Sequence, residues 1–169
     1  MKQNLIDAIN DQINAELYSA YLYMSMAAYA TDGGLEGAAN WFSCQAKEEF
    51  VHAQKFYDYV NERGDRVILE AIEKPPSDFE GLSDAFEKTL AHEKVVTARI
   101  DKLVDLAREG SDHATETFLQ WFVTEQVEEE ASAKAVVDRL SLAGDSGVGL
   151  FMVDSELAAR VFTPPPAGE

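Results

Sequence analysis

The sequence predicts an all-α protein: a four-helix bundle with one long crossover connection and a short fifth helix near the C-terminus. Four long segments show the spacing of apolar residues that is typical of helices, none contains a proline, and each is followed by glycine. No segment alternates polar and apolar residues as a strand does. At 169 residues with 46% hydrophobic composition, we expect residues 1–169 to form a single domain.

The first two predicted helices form a hairpin. The first runs from about Leu5 to Thr31 and ends at two glycines, and the second runs from about Leu35 to Arg63 and ends at Gly64. Glycine is common just past a helix end because it adopts a left-handed conformation without steric cost. The short link between the two helices predicts antiparallel neighbours.

The third and fourth predicted helices form a second hairpin. The third begins near Leu82 and ends at Gly110, and the fourth follows the cap residue Asp112 and continues to about Leu142. The bundle therefore covers about residues 5–142.

A long linker with two prolines, about residues 65–81, joins the two hairpins. Extended chain advances about 3.3 Å per residue and a helix only about 1.5 Å. The linker can therefore run the length of the bundle and leave the second and third helices parallel, which is the single-crossover topology. Beyond the bundle, the apolar segment at about residues 148–162 predicts the fifth helix, ended by Pro164, Pro165 and Pro166.

Composition excludes several classes of function. The formal net charge of −17 repels nucleic acid and anionic membranes and attracts cations, so we expect neither as a partner. The N-terminal residues lack the apolar core of a signal peptide, which predicts a cytoplasmic protein. The single cysteine, Cys44, excludes an intramolecular disulfide and a cysteine-based metal cluster.

Each predicted helix carries a glutamate on its apolar stripe, close to its midpoint. An isolated glutamate in such a stripe usually lies at the edge of the helix and reaches water. Four glutamates at one level of a bundle are not expected all to reach water at helix edges, because each helix must turn its apolar stripe toward the shared core. The residues are Glu16, Glu49 with His52 one turn later, Glu93 and Glu129.

Four buried carboxylates require compensation. Without partners they would repel one another and cost several kcal/mol each in desolvation. A raised pKa relieves part of that cost by protonation, and bound cations relieve more of it. Oxygen ligands with one imidazole suit iron, manganese or zinc, so the pattern predicts a buried metal site.

Three stretches of the sequence resemble the ferritins, specifically the haem-free ferritins of prokaryotes. They are residues 14–18 (Asn-Ala-Glu-Leu-Tyr), residues 48–52 (Glu-Glu-Phe-Val-His) and residues 120–129 (Gln-Trp-Phe-Val-Thr-Glu-Gln-Val-Glu-Glu). The resemblance covers about residues 3–163. It implies an iron-storage protein that oxidises Fe(II) with dioxygen or hydrogen peroxide and holds ferric mineral inside a hollow shell of 24 subunits.

The resemblance also implies a di-iron centre and its ligands. The first iron would be held by Glu16, Glu49 and His52, and the second by Glu49 as a bridge, Glu93 and Glu129, with Gln126 alongside. Tyr23 lies seven residues after Glu16 on the same stripe. It is expected beside the site as a hydrogen-bond or electron donor, with a simple core tyrosine as the alternative.

A third iron site is implied next to the first two. Its residues would be Glu48, Glu125 and Glu128, with Glu129 shared. An ordinary solvated acidic face is the alternative interpretation of these residues.

Haem is not expected. Phe50 occupies the position next to Glu49 where bacterioferritins carry a haem-ligating methionine, and Gln126 opens a Gln-x-x-Glu where they carry a second Glu-x-x-His. Met24 and Met26 are interpreted as core residues.

Self-association is expected from the sequence itself. The apolar fifth helix and several tyrosines outside the metal stripe provide more apolar surface than one bundle can bury, among them Tyr18, Tyr21 and Tyr29. Two other functions stay open at this point: a di-metal oxidase or peroxide scavenger that stores nothing, and a structural bundle whose site has lapsed.

Overall fold

The computed structural model describes residues 1–164, and over that range the chain forms five helices and no strand. This confirms the all-α prediction. Four helices are long and one is short: α1 (Gln3–Asp32), α2 (Glu36–Glu62), α3 (Leu82–Gly110), α4 (His113–Ala143) and α5 (Gly147–Leu157). The ends of the four long helices lie within about two residues of the predicted ones.

Local chemistry fixes the helix ends. Asp112 is the N-cap of α4, and its carboxylate accepts a hydrogen bond from the backbone N–H of Thr115 at 3.1 Å. The residue after α2 is Arg63, followed by Gly64 with a φ of +76°. Left-handed backbone at this position favours glycine, which explains why α2 stops there.

The linker between α2 and α3 runs along α1, as its length predicted. Its backbone carbonyls accept hydrogen bonds from α1 side chains that advance along that helix in step with the linker. The donor and acceptor pairs are Asn10 to Arg66, Asn14 to Glu70 and Ala71, Ser25 to Pro76, and Tyr29 to Phe79. The linker therefore carries the chain from the start of α1 to its end, and α3 begins level with the start of α2 and runs parallel to it.

The core consists of two apolar clusters, one toward each end of the bundle. The first joins the second half of α1 to the starts of α2 and α3, the end of α4 and helix α5. The second joins the first half of α1 to the ends of α2 and α3 and the start of α4. Stacked rings lie in each cluster: Phe42 on Phe86, with centroids 4.7 Å apart, and Phe56 on Phe122, at 4.0 Å.

The fifth helix is shorter than the sequence predicted, and this corrects the expected range of about 148–162. It ends at Leu157, and Pro165 and Pro166, part of the expected stop, lie outside the described residues. Asn40 of α2 explains the early end. Its side-chain amide donates to three backbone carbonyls, those of Leu157, Ala158 and Arg160, so these carbonyls are satisfied without further helix.

Helix α5 docks against the start of α2 through one carboxylate. Asp154 accepts hydrogen bonds from the backbone N–H groups of Gly37, at 3.2 Å, and Ala38, at 2.8 Å. A carboxylate at this position satisfies free N–H groups and interacts favourably with the positive end of the α2 dipole. The approach is so close that a Cβ built on Gly37 would lie 1.7 Å from the backbone oxygen of Asp154.

The two methionines that were expected in the core differ in their exposure. Met26 is buried, as expected, whereas Met24 is 60% exposed, so its interpretation as a core residue is wrong. Met24 follows the buried Tyr23 by one position and therefore points about 100° away from the core.

Within residues 1–164, none of the helices combines the length and the apolar character needed to cross a membrane.

Candidate metal centre

The four stripe glutamates meet in one polar layer between the two apolar clusters. Each is at most 5% exposed, and the layer also contains a histidine, a tyrosine and a glutamine that the sequence placed there. Apolar packing above and below fixes the heights of the four helices and so brings these side chains together. The residues of the layer are Glu16, Tyr23, Glu49, His52, Glu93, Gln126 and Glu129.

One half of the layer is built by α1 and α2. Glu16, Glu49 and His52 each offer one ligand atom, and these atoms all lie within 4.8 Å of one another. His52 Nδ1 is 3.3 Å from Glu49 Oε2, as the one-turn spacing of Glu-x-x-His requires. Glu16 Oε1 accepts from Gln12 at 2.8 Å, but no amide or hydroxyl donates to the buried Glu16 Oε2.

The other half is built by α3 and α4, with Tyr23 reaching across from α1. The Tyr23 hydroxyl donates to Glu93 Oε1, and the Gln126 amide donates to the backbone carbonyl and to Oε2 of Glu93, at 3.2 and 3.4 Å. Glu93 is therefore held on both oxygens. Gln126 of α4 thus contacts Glu93 of α3 directly.

Gln45 connects the two halves. Its amide nitrogen donates to Glu129 Oε2 at 2.5 Å and to Glu49 Oε1 at 3.1 Å, and its own oxygen is buried without a partner. Gln45 and Glu49 are neighbours on the same stripe of α2. The amide places two carboxylates from different helices around one point, which is the arrangement that a bridging ligand needs.

The pKa values in the layer reflect first the burial of its acids and then their mutual repulsion. Burial raises the pKa of Glu16 to about 8, and the charge of Glu49 adds to the rise. Burial raises the pKa of Glu129 to about 7 and that of Glu93 to about 6. Burial, together with the charges of Glu93 and Glu129, raises the pKa of Glu49 well above its ordinary range. The metal-free layer therefore holds protons that binding of cations would release.

The hydroxyl of Tyr23 is a donor over the whole physiological pH range. Burial and the neighbouring charge of Glu93 raise its pKa well above that of an ordinary tyrosine. The phenol therefore stays protonated and keeps its hydrogen bond to Glu93.

The raised pKa values predict how stability depends on pH. Between about pH 4.5 and about pH 8 the folded state holds protons on Glu16 that the unfolded state has lost. We therefore expect the free energy of unfolding of the metal-free protein to fall as pH rises through this range, by up to about 1.4 kcal/mol per pH unit for each such carboxyl. Chemical denaturation at a series of pH values measures this slope.

An isosteric variant separates this effect from the general charge of the protein. Glu16→Gln cannot ionise, so its slope should be shallower, whereas Glu62→Gln, at an exposed position of α2, should keep the wild-type slope. Metal-free protein that becomes more stable between about pH 5 and about pH 8 would contradict the assignment.

The residues of the expected third iron site are only partly brought together. Glu48 is half-buried and forms an ion pair with Arg160, and burial raises the pKa of Glu48 despite this pair. Glu128 is exposed and does not join the group. The ligand atoms that lie within 4.8 Å of one another belong to His52, Glu125 and Glu129.

Several residues around the layer were not identified from the sequence as part of the site. Arg99 Nε donates to Gln12 Oε1 at 2.9 Å, so the Gln12 amide must turn its NH₂ group toward Glu16. That orientation leaves the second oxygen of Glu16 facing Glu49, with which Glu16 shares a proton in the metal-free protein. A glutamine one turn before a stripe glutamate, as with Gln12 and Gln45, is the signal that could have identified both amides.

The donor set fits multivalent cations. It provides five buried carboxylate or amide side chains and one imidazole at a single level, and no amide or hydroxyl donates to one of the carboxylate oxygens. Hard oxygen ligands of this kind suit iron and manganese. The imidazole makes the site suitable for zinc as well. The rings of Trp121 and Phe122 lie nearly perpendicular to the His52 imidazole, with ring centroids 5.4 and 6.0 Å away, and restrict how the imidazole can turn.

Comparison with known proteins places this geometry among related chains. The model of the family described as Ferritin-like domain matches residues 6–143. The bacterial non-heme ferritin of Staphylococcus saprophyticus is 45% identical over 162 residues, which are 96% of this chain and 97% of that protein. The corresponding protein of Staphylococcus aureus is 42% identical over 96% of this chain and 98% of its own length. An open-pore ferritin from the archaeon Archaeoglobus fulgidus superposes with a TM-score of 0.94, at 49% identity, covering 95% of this chain and 99% of that one.

Proposed function

Because the chain belongs to the ferritin family, we propose that it stores iron and oxidises Fe(II) to Fe(III) at the buried polar layer. The observation that carries the proposal is the layer itself. Four buried glutamates from four helices share this layer with one imidazole, and Glu16 and Glu49 lie close enough for one carboxyl to share a proton with the other. Fe(II) is the substrate of this site and ferric mineral is its stored product.

The proposed ligands follow from the contacts. Glu16 and His52 belong to the first iron, and Glu93 and Glu129 to the second, with Gln126 alongside. Glu49 is proposed as the bridge because it contacts His52 and shares the Gln45 amide with Glu129. The pKa of Glu49 is affected by Glu93 and Glu129 in one half of the layer and by Glu16 in the other half.

The acid side chains explain why oxidation is favourable there. Anionic oxygens stabilise Fe(III) more than Fe(II), because the interaction grows with the charge of the ion. Two Fe(II) ions give up one electron each, and these two electrons with two protons reduce dioxygen to hydrogen peroxide, or hydrogen peroxide to water. Carboxyl protons released when the ions bind are available at the site for this reduction.

Tyr23 is proposed to hold Glu93 in position and to serve as an electron donor beside the site. Tyr23→Phe removes only the hydroxyl that donates to Glu93. We expect near-normal metal binding and a fast phase of iron oxidation slowed roughly tenfold, as for other partners of metal ligands, in stopped-flow absorbance. Tyr21→Phe, at a position that is 48% exposed, is the control, and equal rates for Tyr23→Phe and wild type would exclude the role.

We also propose assembly into a hollow shell of 24 subunits. The exposed face of α5 and the segment after it is unusually apolar, with large side chains at Val148, Phe151, Met152 and Val161 that are 60–77% exposed. A second apolar surface lies where α1 and α2 meet, around Met24 and Phe50. Surfaces of this kind are typical of subunit contacts.

Particle mass and iron content together test the proposal. Storage predicts a large particle that takes up many irons per subunit in the presence of oxidant. A particle or monomer that oxidises Fe(II) yet retains only about two irons per subunit would indicate a di-metal oxidase or peroxide scavenger instead. A chain that binds no iron at all would be a structural bundle, and the proposed function would be wrong.

A further inference from the structure

The segment after α5 brings a positive charge to the edge of the polar layer. Arg160 lies three residues beyond the end of α5, and its guanidinium forms an ion pair with Glu48 of α2. The same guanidinium lies over the Trp41 ring, 4.4 Å from its centroid. Both interactions favour a cation, so Arg160 is held from two sides.

The backbone around Arg160 is fixed independently of its charge. The Arg160 carbonyl accepts from Asn40 Nδ2 at 2.9 Å and from Cys44 Sγ at 3.7 Å. Asn40, Trp41, Cys44 and Glu48 all lie on α2 at helical spacing. Side chains of α2 thus fix the backbone of Arg160 and so direct its guanidinium to Glu48. An ordinary ion pair at the surface does not need a backbone held in this way.

Glu48 lies next to a group of possible metal ligands. It precedes His52 by one helical turn on α2, so the two side chains are neighbours on one face of that helix. The ligand atoms of His52, Glu125 and Glu129 lie within 4.8 Å of one another. Arg160 thus neutralises an acid at the edge of the place where a third metal ion would sit.

We propose that Arg160 is the resident counter-ion of the third iron position: it occupies Glu48 in the iron-free protein and is displaced by an incoming ion. The inference rests on the proposed function and assigns a role to a residue outside the ligand set. An ion of higher charge gains more from Glu48 than a guanidinium does, so it displaces Arg160 but must overcome the existing pair. Arg160 therefore weakens binding at this position, which favours transfer of iron onward over retention.

Zinc titration calorimetry of the assembled, metal-free protein tests the proposal. Arg160→Met keeps an unbranched chain over Trp41 and removes the charge. We expect binding of the third zinc about tenfold tighter than in wild type, equivalent to about 1.4 kcal/mol, with the two tight zinc ions unchanged. Arg139→Met removes an exposed ion pair with Glu156 of α5 and is the matched control, expected to have no effect.

A double variant identifies Glu48 as the target. In a Glu48→Gln background the guanidinium has no carboxylate to occupy, so Arg160→Met should no longer tighten the third zinc. The proposal is overturned if Arg160→Met binds the third zinc ion no more tightly than wild type does, or if neither protein binds a third zinc ion. Failure of the two tight sites in wild type would instead contradict the proposed function.

A zinc-soaked crystal of the wild-type protein tests the same point without a substitution. We expect anomalous density beside Glu48 and Glu125, with the Arg160 guanidinium moved away from Glu48. Zinc bound there while the ion pair between Arg160 and Glu48 persists, or no zinc there at saturating concentration, would show that Arg160 has only a structural role.

Discussion

Replacing Glu49 and His52 together with alanine is expected to abolish the fast phase of iron oxidation. The double variant removes the proposed bridge and the only imidazole of the layer, so neither half keeps a complete ligand set. We expect the initial rate in stopped-flow absorbance to fall by roughly a hundredfold or more, beyond what loss of a supporting group alone produces. Slow growth of mineral is expected to survive, because acidic surface does not depend on these two side chains.

The fold is expected to tolerate this double variant. Removing an acid whose pKa is raised by burial relieves repulsion and offsets part of the cost of the cavity left behind. Glu62→Ala with His113→Ala removes the same two types of side chain from exposed positions and should oxidise iron at the wild-type rate. Unchanged fast oxidation in Glu49→Ala with His52→Ala would contradict the site assignment.

Gly37→Ala is expected to destabilise the protein strongly. The added Cβ would lie 1.7 Å from the backbone oxygen of Asp154, and neither backbone can move without separating α5 from α2. Overpacking of this severity costs roughly 3 kcal/mol, and the hydrogen bonds from Gly37 and Ala38 to Asp154 would be lost as well. Thermal unfolding should show a clearly lower Tm.

A methyl group added to α5 itself provides the control. A Cβ on Gly147 meets no atom within 4 Å, so Gly147→Ala should leave the Tm unchanged or raise it slightly through better helix propensity. Limited proteolysis distinguishes the two further, since a displaced α5 exposes the chain between α4 and the C-terminal segment. A Gly37→Ala protein as stable and as protease-resistant as wild type would show that α5 docks differently.

The fold and the polar layer were largely predictable because both follow from helical periodicity. Glu16, Glu49, Glu93 and Glu129 interrupt apolar stripes near the helix midpoints, and antiparallel hairpins of similar length force midpoints to coincide. The structure confirms the five helices and places these acids in one layer. Their roles as ligands stay a prediction that the iron experiments test.

What the sequence could not predict depends on contacts between distant segments. The early end of α5 is set by Asn40, more than a hundred residues away in the chain. The pair of Arg160 with Glu48 depends on that same turn, and so has no local signal. Met24 was predicted to be a core residue but is exposed. It lies one position away from the apolar stripe of α1, and helical periodicity alone does not say whether a residue beside the stripe is buried or exposed.

The division of the hydrophobic core into two separate clusters affects how this protein can change over evolutionary time. Each end of the bundle is held by its own packed aromatic and aliphatic side chains, so neither end relies on the acids between them for cohesion. We therefore expect substitutions in the middle layer to change the chemistry of the site more than the packing of the bundle. The same outline could then persist with other metals, other oxidants or no catalysis, and activity is better judged from the few interior side chains of the layer.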